Sequence, residues 1–161
     1  MDELKKLLEE KGLDQLPKVL LAAAECSPIS KTGGLADVVG TLPKALAKMG
    51  ADARVITPYH KMVKDKYADQ VEHICDFTVR LGWRNSYVGL ERLVLDGVII
   101  YLIDNEQYFG HKIYYGGNEE GEQYAYFCRA VLEAIPMLDF VPDVVHCNDW
   151  HTAMIPMLAH T

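Results

Sequence analysis

The chain has 161 residues, 50% hydrophobic and 24% charged, with a formal charge of −7 from 23 acidic and 16 basic side chains. That length corresponds to about one domain with a core of its own, and no Lys/Arg-rich run breaks the acidic balance, which argues against a nucleic-acid or anionic-membrane surface. No apolar stretch approaches the roughly 18 residues of a membrane span, and the opening residues carry no signal-peptide pattern. Cys26, Cys75, Cys128 and Cys147 are too widely spaced for a zinc motif or a dense disulfide framework, so a reducing cytoplasm is the expected compartment.

Residues 2–14 place Leu4, Leu7 and Leu8 on one stripe among charges, which predicts a short amphipathic helix ahead of the domain proper. Lys18–Ala24 is a nearly continuous apolar run that suits a strand buried on both faces of a parallel sheet. A loop rich in Ser, Pro and Gly follows. From Leu35 to Met49 apolar residues recur at helical spacing, with a kink expected near Gly40-Thr41 because Pro43 removes a hydrogen bond. A second strand, Ala53–Thr57, completes a βαβ unit. Val71–Leu81, Tyr87–Leu95 and Val98–Ile103 read as strands of an antiparallel meander, turned at Gly82–Asn85 and at the hairpin signal Asp96-Gly97. Residues 104–122 read as a long polar loop. Gln123–Leu138 reads as a helix, Asp143–Cys147 as a strand, and Thr152–His160 as the start of another helix. The expected fold class is therefore α/β, a doubly wound, mostly parallel sheet with an antiparallel meander.

Two clusters fall at strand ends, where open α/β sheets bind ligands. In Lys31-Thr32-Gly33-Gly34 the glycines allow close backbone approach, the helix N-terminus favours an anion and Lys31 adds a positive charge, so the loop fits a phosphate or diphosphate. It matches neither GxGxxG nor GxxxxGK[ST], and an ordinary tight turn is the alternative; Asp37 suits the helix dipole in either case. The second cluster is His146-Cys147-Asn148-Asp149-Trp150-His151. Its residue types include metal ligands, but strand alternation sends His146 and Cys147 to opposite faces, so no metal is assigned. Either Asn148 or Asp149 caps the next helix and Trp150 is core, or His151 meets a sugar hydroxyl while Asn148 and Asp149 shape the pocket. Lone His60 reads as structural. Tyr114 and Tyr115 are candidates for stacking on sugar rings.

Lys18–Gly50, with its Lys31-Thr32-Gly33-Gly34-Leu35-Ala36-Asp37 core, resembles the N-terminal signature of bacterial glycogen synthases and plant starch synthases. The resemblance continues through Ala53–Pro58, Ile100–Asp104 and Phe127–Glu133, and closes on Pro142–Thr152. It implies a retaining glucosyltransferase that moves glucose from ADP-glucose (UDP-glucose being the other donor) to the 4-OH end of an α-1,4-glucan. It also implies a glycosyltransferase-B fold of two Rossmann-like domains, with no metal or other cofactor and a cytoplasmic location, or a plastid one in a plant. On the same resemblance Lys31, Gly33 and Gly34 meet the nucleotide diphosphate, His151 lies beside the donor glucose, and Asp37 is an acid near the donor. Glu119 falls in a stretch that departs from the family pattern. The expected organisation is a helical extension over 1–16 and an incomplete N-terminal Rossmann-like domain over 17–161, with the second domain absent. On that reading the piece alone has no turnover, and its exposed sheet edge invites self-association. A stand-alone, non-catalytic nucleotide-sugar or glucan-binding module is the alternative.

Overall fold

The computed structural model describes residues 2–12, 15–114 and 118–160. Its six-stranded sheet has β1 (Val19–Ala22) flanked in parallel by β2 (Ala53–Pro58) on one side and β6 (Val144–Cys147) on the other. Beyond β2 lie parallel β5 (Val98–Asp104), antiparallel β4 (Arg84–Leu95) and antiparallel β3 (Glu72–Leu81), giving the order β3-β4-β5-β2-β1-β6. This is the mixed α/β sheet that the alternating apolar runs predict.

The apolar run of β1 feeds two cores because successive side chains alternate faces. Leu20, Ala22 and Ala24 pack with Tyr126, Phe127 and Val131 of α5 (Asn118–Ala134). Leu21 and Ala23 pack on the other face with Val39 of α2 (Gly34–Lys48) and Val63 of α3 (Lys61–Tyr67). Every one of these residues is fully buried. Since α2 links β1 to β2 on one face and α5 links β5 to β6 on the other, the winding reverses between β1 and β6. The crevice at their carboxyl ends is the topological switch point, where such sheets hold ligands.

Several boundaries differ from the sequence expectation, each for a local reason. The helix α1 runs Asp2–Glu10, and Leu7 is 49% exposed, so its stripe is thinly covered; the side chain of Leu4 lies outside the described residues. Helix α2 continues through Pro43, which is buried against the sheet. Gly40 is required there, because a Cβ would stand 2.3 Å from the carbonyl oxygen of Ser27. The β3–β4 turn is only Gly82-Trp83, with Arg84 and Asn85 already paired in β4, and Gly82 supplies the positive φ of +62°. At the second hairpin Asp96 and Gly97 both have positive φ, as a two-residue turn of right-twisted strands demands. The stretch 104–122 is not one loop. Asn105 accepts from the N–H groups of Gln107 and Tyr108 and starts α4 (Glu106–Phe109), and α5 begins at Asn118 with Glu119 and Glu120 in its first turn, where the dipole favours acids. Pro136 then ends α5 in a 3₁₀ turn, Ile135–Met137. The final helix is also shorter than expected: a 3₁₀ turn, Trp150–Thr152, precedes α6 (Met154–Leu158). Among the described residues no helix is long and apolar enough to cross a membrane.

Phe127 meets Phe109 and Tyr124 edge-on inside the larger core. Truncating it leaves a cavity, so Phe127→Ala is expected to lower the free energy of urea unfolding by about 3–5 kcal/mol. Val38→Ala, at a position 51% exposed on α2, should change it by no more than about 0.5 kcal/mol.

Candidate functional site at the sheet switch point

The loop after β1 is held by a buried acid. Glu25 is 1% exposed, and its Oε2 accepts from both the backbone N–H and the hydroxyl of Thr32, the latter at 2.8 Å. A carboxylate removed from water needs such donors, and here they fix the chain one residue before the glycines. Gly33 is the N-cap of α2 in an extended conformation and brings no capping side chain. A Cβ on Gly34 would meet nothing within 4 Å. Gly33 and Gly34 are exposed, so the start of this 15-residue helix, the positive end of its dipole, is open to solvent. Lys31 lies beside them, its Nζ 2.7 and 2.8 Å from the two carboxylate oxygens of Asp37 in that same first turn. Both side chains are about half exposed (51% and 54%), so the pair contributes at most about 1 kcal/mol and exchanges readily for a stronger anion.

The chain after β6 is tied to β1 by Asn148. Its Nδ2 donates to the carbonyls of Ala22 at 3.0 Å and His146 at 2.9 Å, and its backbone N–H donates to Ala22 at 3.1 Å. Asp149 then adopts φ 64° and ψ 178°, a region nearly confined to glycine that costs about 1–3 kcal/mol. Its carboxylate accepts from the N–H of Trp150 at 2.6 Å, and the Thr152 hydroxyl donates to the carbonyl of Asn148 at 3.0 Å. This abrupt turn sends His151 inward, where it is 5% exposed, while Trp150 stays 51% exposed rather than joining the core.

Aromatic rings join the two loops. The imidazole of His151 stacks on Tyr114 at 5.1 Å, lies 4.0 Å from Trp150 and meets the edge of Tyr124 at 4.6 Å. Tyr114 in turn lies close to Thr32, the residue that Glu25 holds. Neighbouring groups thus extend from Glu25 and Thr32 past Tyr114 to His151. Its continuation into Tyr115, Gly116 and Gly117 lies outside the described residues. Lys31, Gly33, Gly34 and Asp37 cluster at the start of α2; Asn148, Asp149 and His151 cluster at the end of β6. Glu119 stands exposed on α5. Glu25, Thr32 and Tyr124 were not singled out from the sequence, although an acid directly after an apolar strand, as in Ala22-Ala23-Ala24-Glu25, is the kind of signal that could have flagged the first.

Burial depresses the basicity of His151, opposed by the charges of Asp149, Glu120 and Glu25. A neutral ring results, and its Nδ1 has no hydrogen-bond partner among the described residues. His60, at the end of β2, is 1% exposed and donates from Nε2 to the carbonyl of Ala24 at 2.8 Å. It is a structural histidine that pins the β1 loop to β2.

Burial lowers the pKa of His60 from about 6.5 to about 4, against the raising effects of the Ala24 carbonyl and the Glu25 charge. The unfolded chain therefore takes up this proton at a higher pH than the folded chain does. Stability that is full above pH 6.5 is lost as pH falls towards 4, and by pH 4.5 the loss is about 2–3 kcal/mol. Urea unfolding at pH 7 and pH 4.5 should show that loss in the wild type, over and above any loss in His60→Gln.

Comparison with known proteins bears on the family and the fold. Residues 18–161 match the starch synthase catalytic domain family. The glycogen synthase of Geobacillus thermodenitrificans is 50% identical over 141 residues, which is 88% of this chain and 29% of that protein. The glycogen synthase of Streptococcus sanguinis is 53% identical over 141 residues, 88% of this chain and 30% of that protein. Among solved structures, the catalytic domain of starch synthase IV from Arabidopsis thaliana, bound to ADP and acarbose, superposes with a TM-score of 0.76 at 25% identity. That match covers 89% of this chain and 30% of the solved one. The chain thus spans less than a third of the length of these relatives. From Lys18 to Thr161 it belongs to the starch synthase catalytic domain family.

Proposed function

We propose that the chain supplies the donor-side wall of a retaining glucosyltransferase, which takes glucose from ADP-glucose and adds it to the 4-OH end of an α-1,4-glucan in the cytoplasm. The observation that carries this reading is the convergence at one switch point of an uncapped helix N-terminus with Lys31 and of the neutral, caged His151. In such a reaction the sugar leaves a diphosphate, and negative charge grows on the bridging oxygen as the bond breaks. Fixed N–H groups at the start of α2 meet that charge without reorganising, and Lys31 adds a cation once it exchanges Asp37 for phosphate.

On this reading Gly33 and Gly34 let the diphosphate lie against the backbone, and Asp37 keeps Lys31 in position while the site is empty. Asn148 and Asp149 hold the turn that delivers His151. A neutral imidazole packed between Tyr114 and Trp150 has little freedom to move, so it suits hydrogen bonding to a sugar hydroxyl better than proton transfer near pH 7. Residues 17–161 then form part of an N-terminal Rossmann-like domain, with 1–16 as a helical extension. The contacts to the base and the remaining diphosphate cations come from the part of the relatives that this chain does not cover.

Titration calorimetry of the chain with ADP tests the assignment. ADP is expected to bind, and Lys31→Ala to weaken it about tenfold or more, as loss of a charge-assisted hydrogen bond implies. Unchanged ADP affinity in Lys31→Ala would remove the phosphate cradle from this loop.

A further inference from the structure

The sheet ends on a strand whose outer side is free. Strand β3 pairs with β4 and stands last in the sheet order, with no strand beyond it among the described residues. It is 10 residues long, against about 5–6 for an ordinary strand, and a long open edge is a template for another strand. Leu81 and Arg84 close a two-residue turn in which Gly82 alone has positive φ, so these flanking residues exchange hydrogen bonds. The register then runs unbroken back to Cys75, and hydrogen-bonded pairs alternate along it. Leu81, Val79 and Phe77 therefore turn their amides and carbonyls towards β4, while Arg80, Thr78 and Asp76 turn theirs outward.

The side chains divide by the same alternation. Val79 is buried, and Cys75, Phe77 and Leu81 are half-buried against the core shared with α5. Asp76, Thr78 and Arg80 are exposed on the other face. Asp76 accepts the Tyr87 hydroxyl on Oδ1 at 2.7 Å, and its Oδ2 lies 3.8 Å from Nε2 of His73. Arg80 donates from Nε to the Gly82 carbonyl at 3.1 Å, and its two terminal nitrogens have no partner among the described residues. An acid and a base thus stand four residues apart on one exposed face, each with bonding capacity to spare.

We infer that the outer edge of β3 is an interface with a second copy of this chain, the two strands pairing antiparallel about a two-fold axis at Thr78. Only outward-facing residues exchange hydrogen bonds across such an axis, which restricts the register to steps of two residues. With the axis at Thr78, Asp76 lies opposite Arg80 of the second copy, Arg80 opposite its Asp76, and the two Thr78 hydroxyls meet. On the core face Phe77 lies opposite Val79 of the second copy and Cys75 opposite its Leu81. The half-exposed Phe77 ring then gains a β-branched neighbour, a favourable cross-strand pair. An axis at Asp76 or Arg80 would set like charges face to face, and one at Phe77 or Val79 would set a charge against Thr78. Charge complementarity therefore selects one register and a second copy as the occupant. The register shift between His73 and Cys75 marks where the pairing ends. The interface is independent of the donor-site reading.

Sedimentation velocity of the chain from about 1 µM to about 500 µM tests the inference. The wild type is expected to pass reversibly from monomer to dimer over that range. Thr78→Pro removes an outward N–H that β4 does not use, so it should leave the circular dichroism spectrum unchanged yet keep the chain monomeric. Arg80→Asp should weaken the dimer about tenfold or more, because it sets like charges opposite each other on both sides of the axis. Adding Asp76→Arg to that variant exchanges the two charges and should restore the association to within about threefold of wild type. The inference is overturned if the wild type sediments as a monomer throughout, if Thr78→Pro associates as strongly as wild type, or if the exchanged double variant stays as weak as Arg80→Asp. The last comparison decides the matter should Thr78→Pro fail to fold.

Discussion

The site depends on the bonding of one side chain between two parallel strands. Asn148 reaches from the end of β6 to the Ala22 carbonyl at the end of β1, and its own backbone N–H reaches the same oxygen. Parallel strands at a reversal of winding would otherwise diverge into separate loops. With Asn148 in place the two chains leave the sheet side by side, and a glycine-bounded helix start faces a caged histidine. Unpaired, that carbonyl and amide would each carry a desolvation cost of about 1–3 kcal/mol, so the junction has reason to stay closed.

Around that junction the molecule spends stability in a few identifiable places. Asp149 sits in backbone space that suits glycine, and Glu25 is a carboxylate almost wholly out of water. The Nδ1 atoms of His60 and His151 are buried without partners among the described residues. These lie within the loops that leave β1, β2 and β6, while Thr57 Oγ1 in β2, Arg92 Nε in β4 and Gln123 Oε1 and Arg129 Nε on α5 are also buried without partners among the described residues. The strained backbone at Asp149, beside the candidate site, is the kind of local cost expected where geometry serves binding.

Much of this was legible in the sequence because period and punctuation agree there. Lys18–Ala24 reads as a doubly buried strand, Leu35–Met49 as a helix and Asp96-Gly97 as a hairpin turn, and each reading rests on strictly local chemistry. The polar stretch 104–122 misled because its helices are set by capping and by charge at their first turns, through Asn105, Glu119 and Glu120, and not by an apolar stripe. The link between the two loops was not legible at all. Thr32, Tyr114 and His151 are far apart in the chain, and only the sheet order brings them together.

The central claim is that the loops after β1 and β6 form one site. Titrating ADP-glucose into the isotope-labelled chain while following its backbone amides and Trp indole signals by nuclear magnetic resonance tests this directly. The account predicts that the amides of Gly33, Gly34 and Leu35 and the indole signal of Trp150 shift together, with a single dissociation constant, while the indole of Trp83 stays in place. Shifts confined to one of the two loops, or following two unrelated constants, would contradict it.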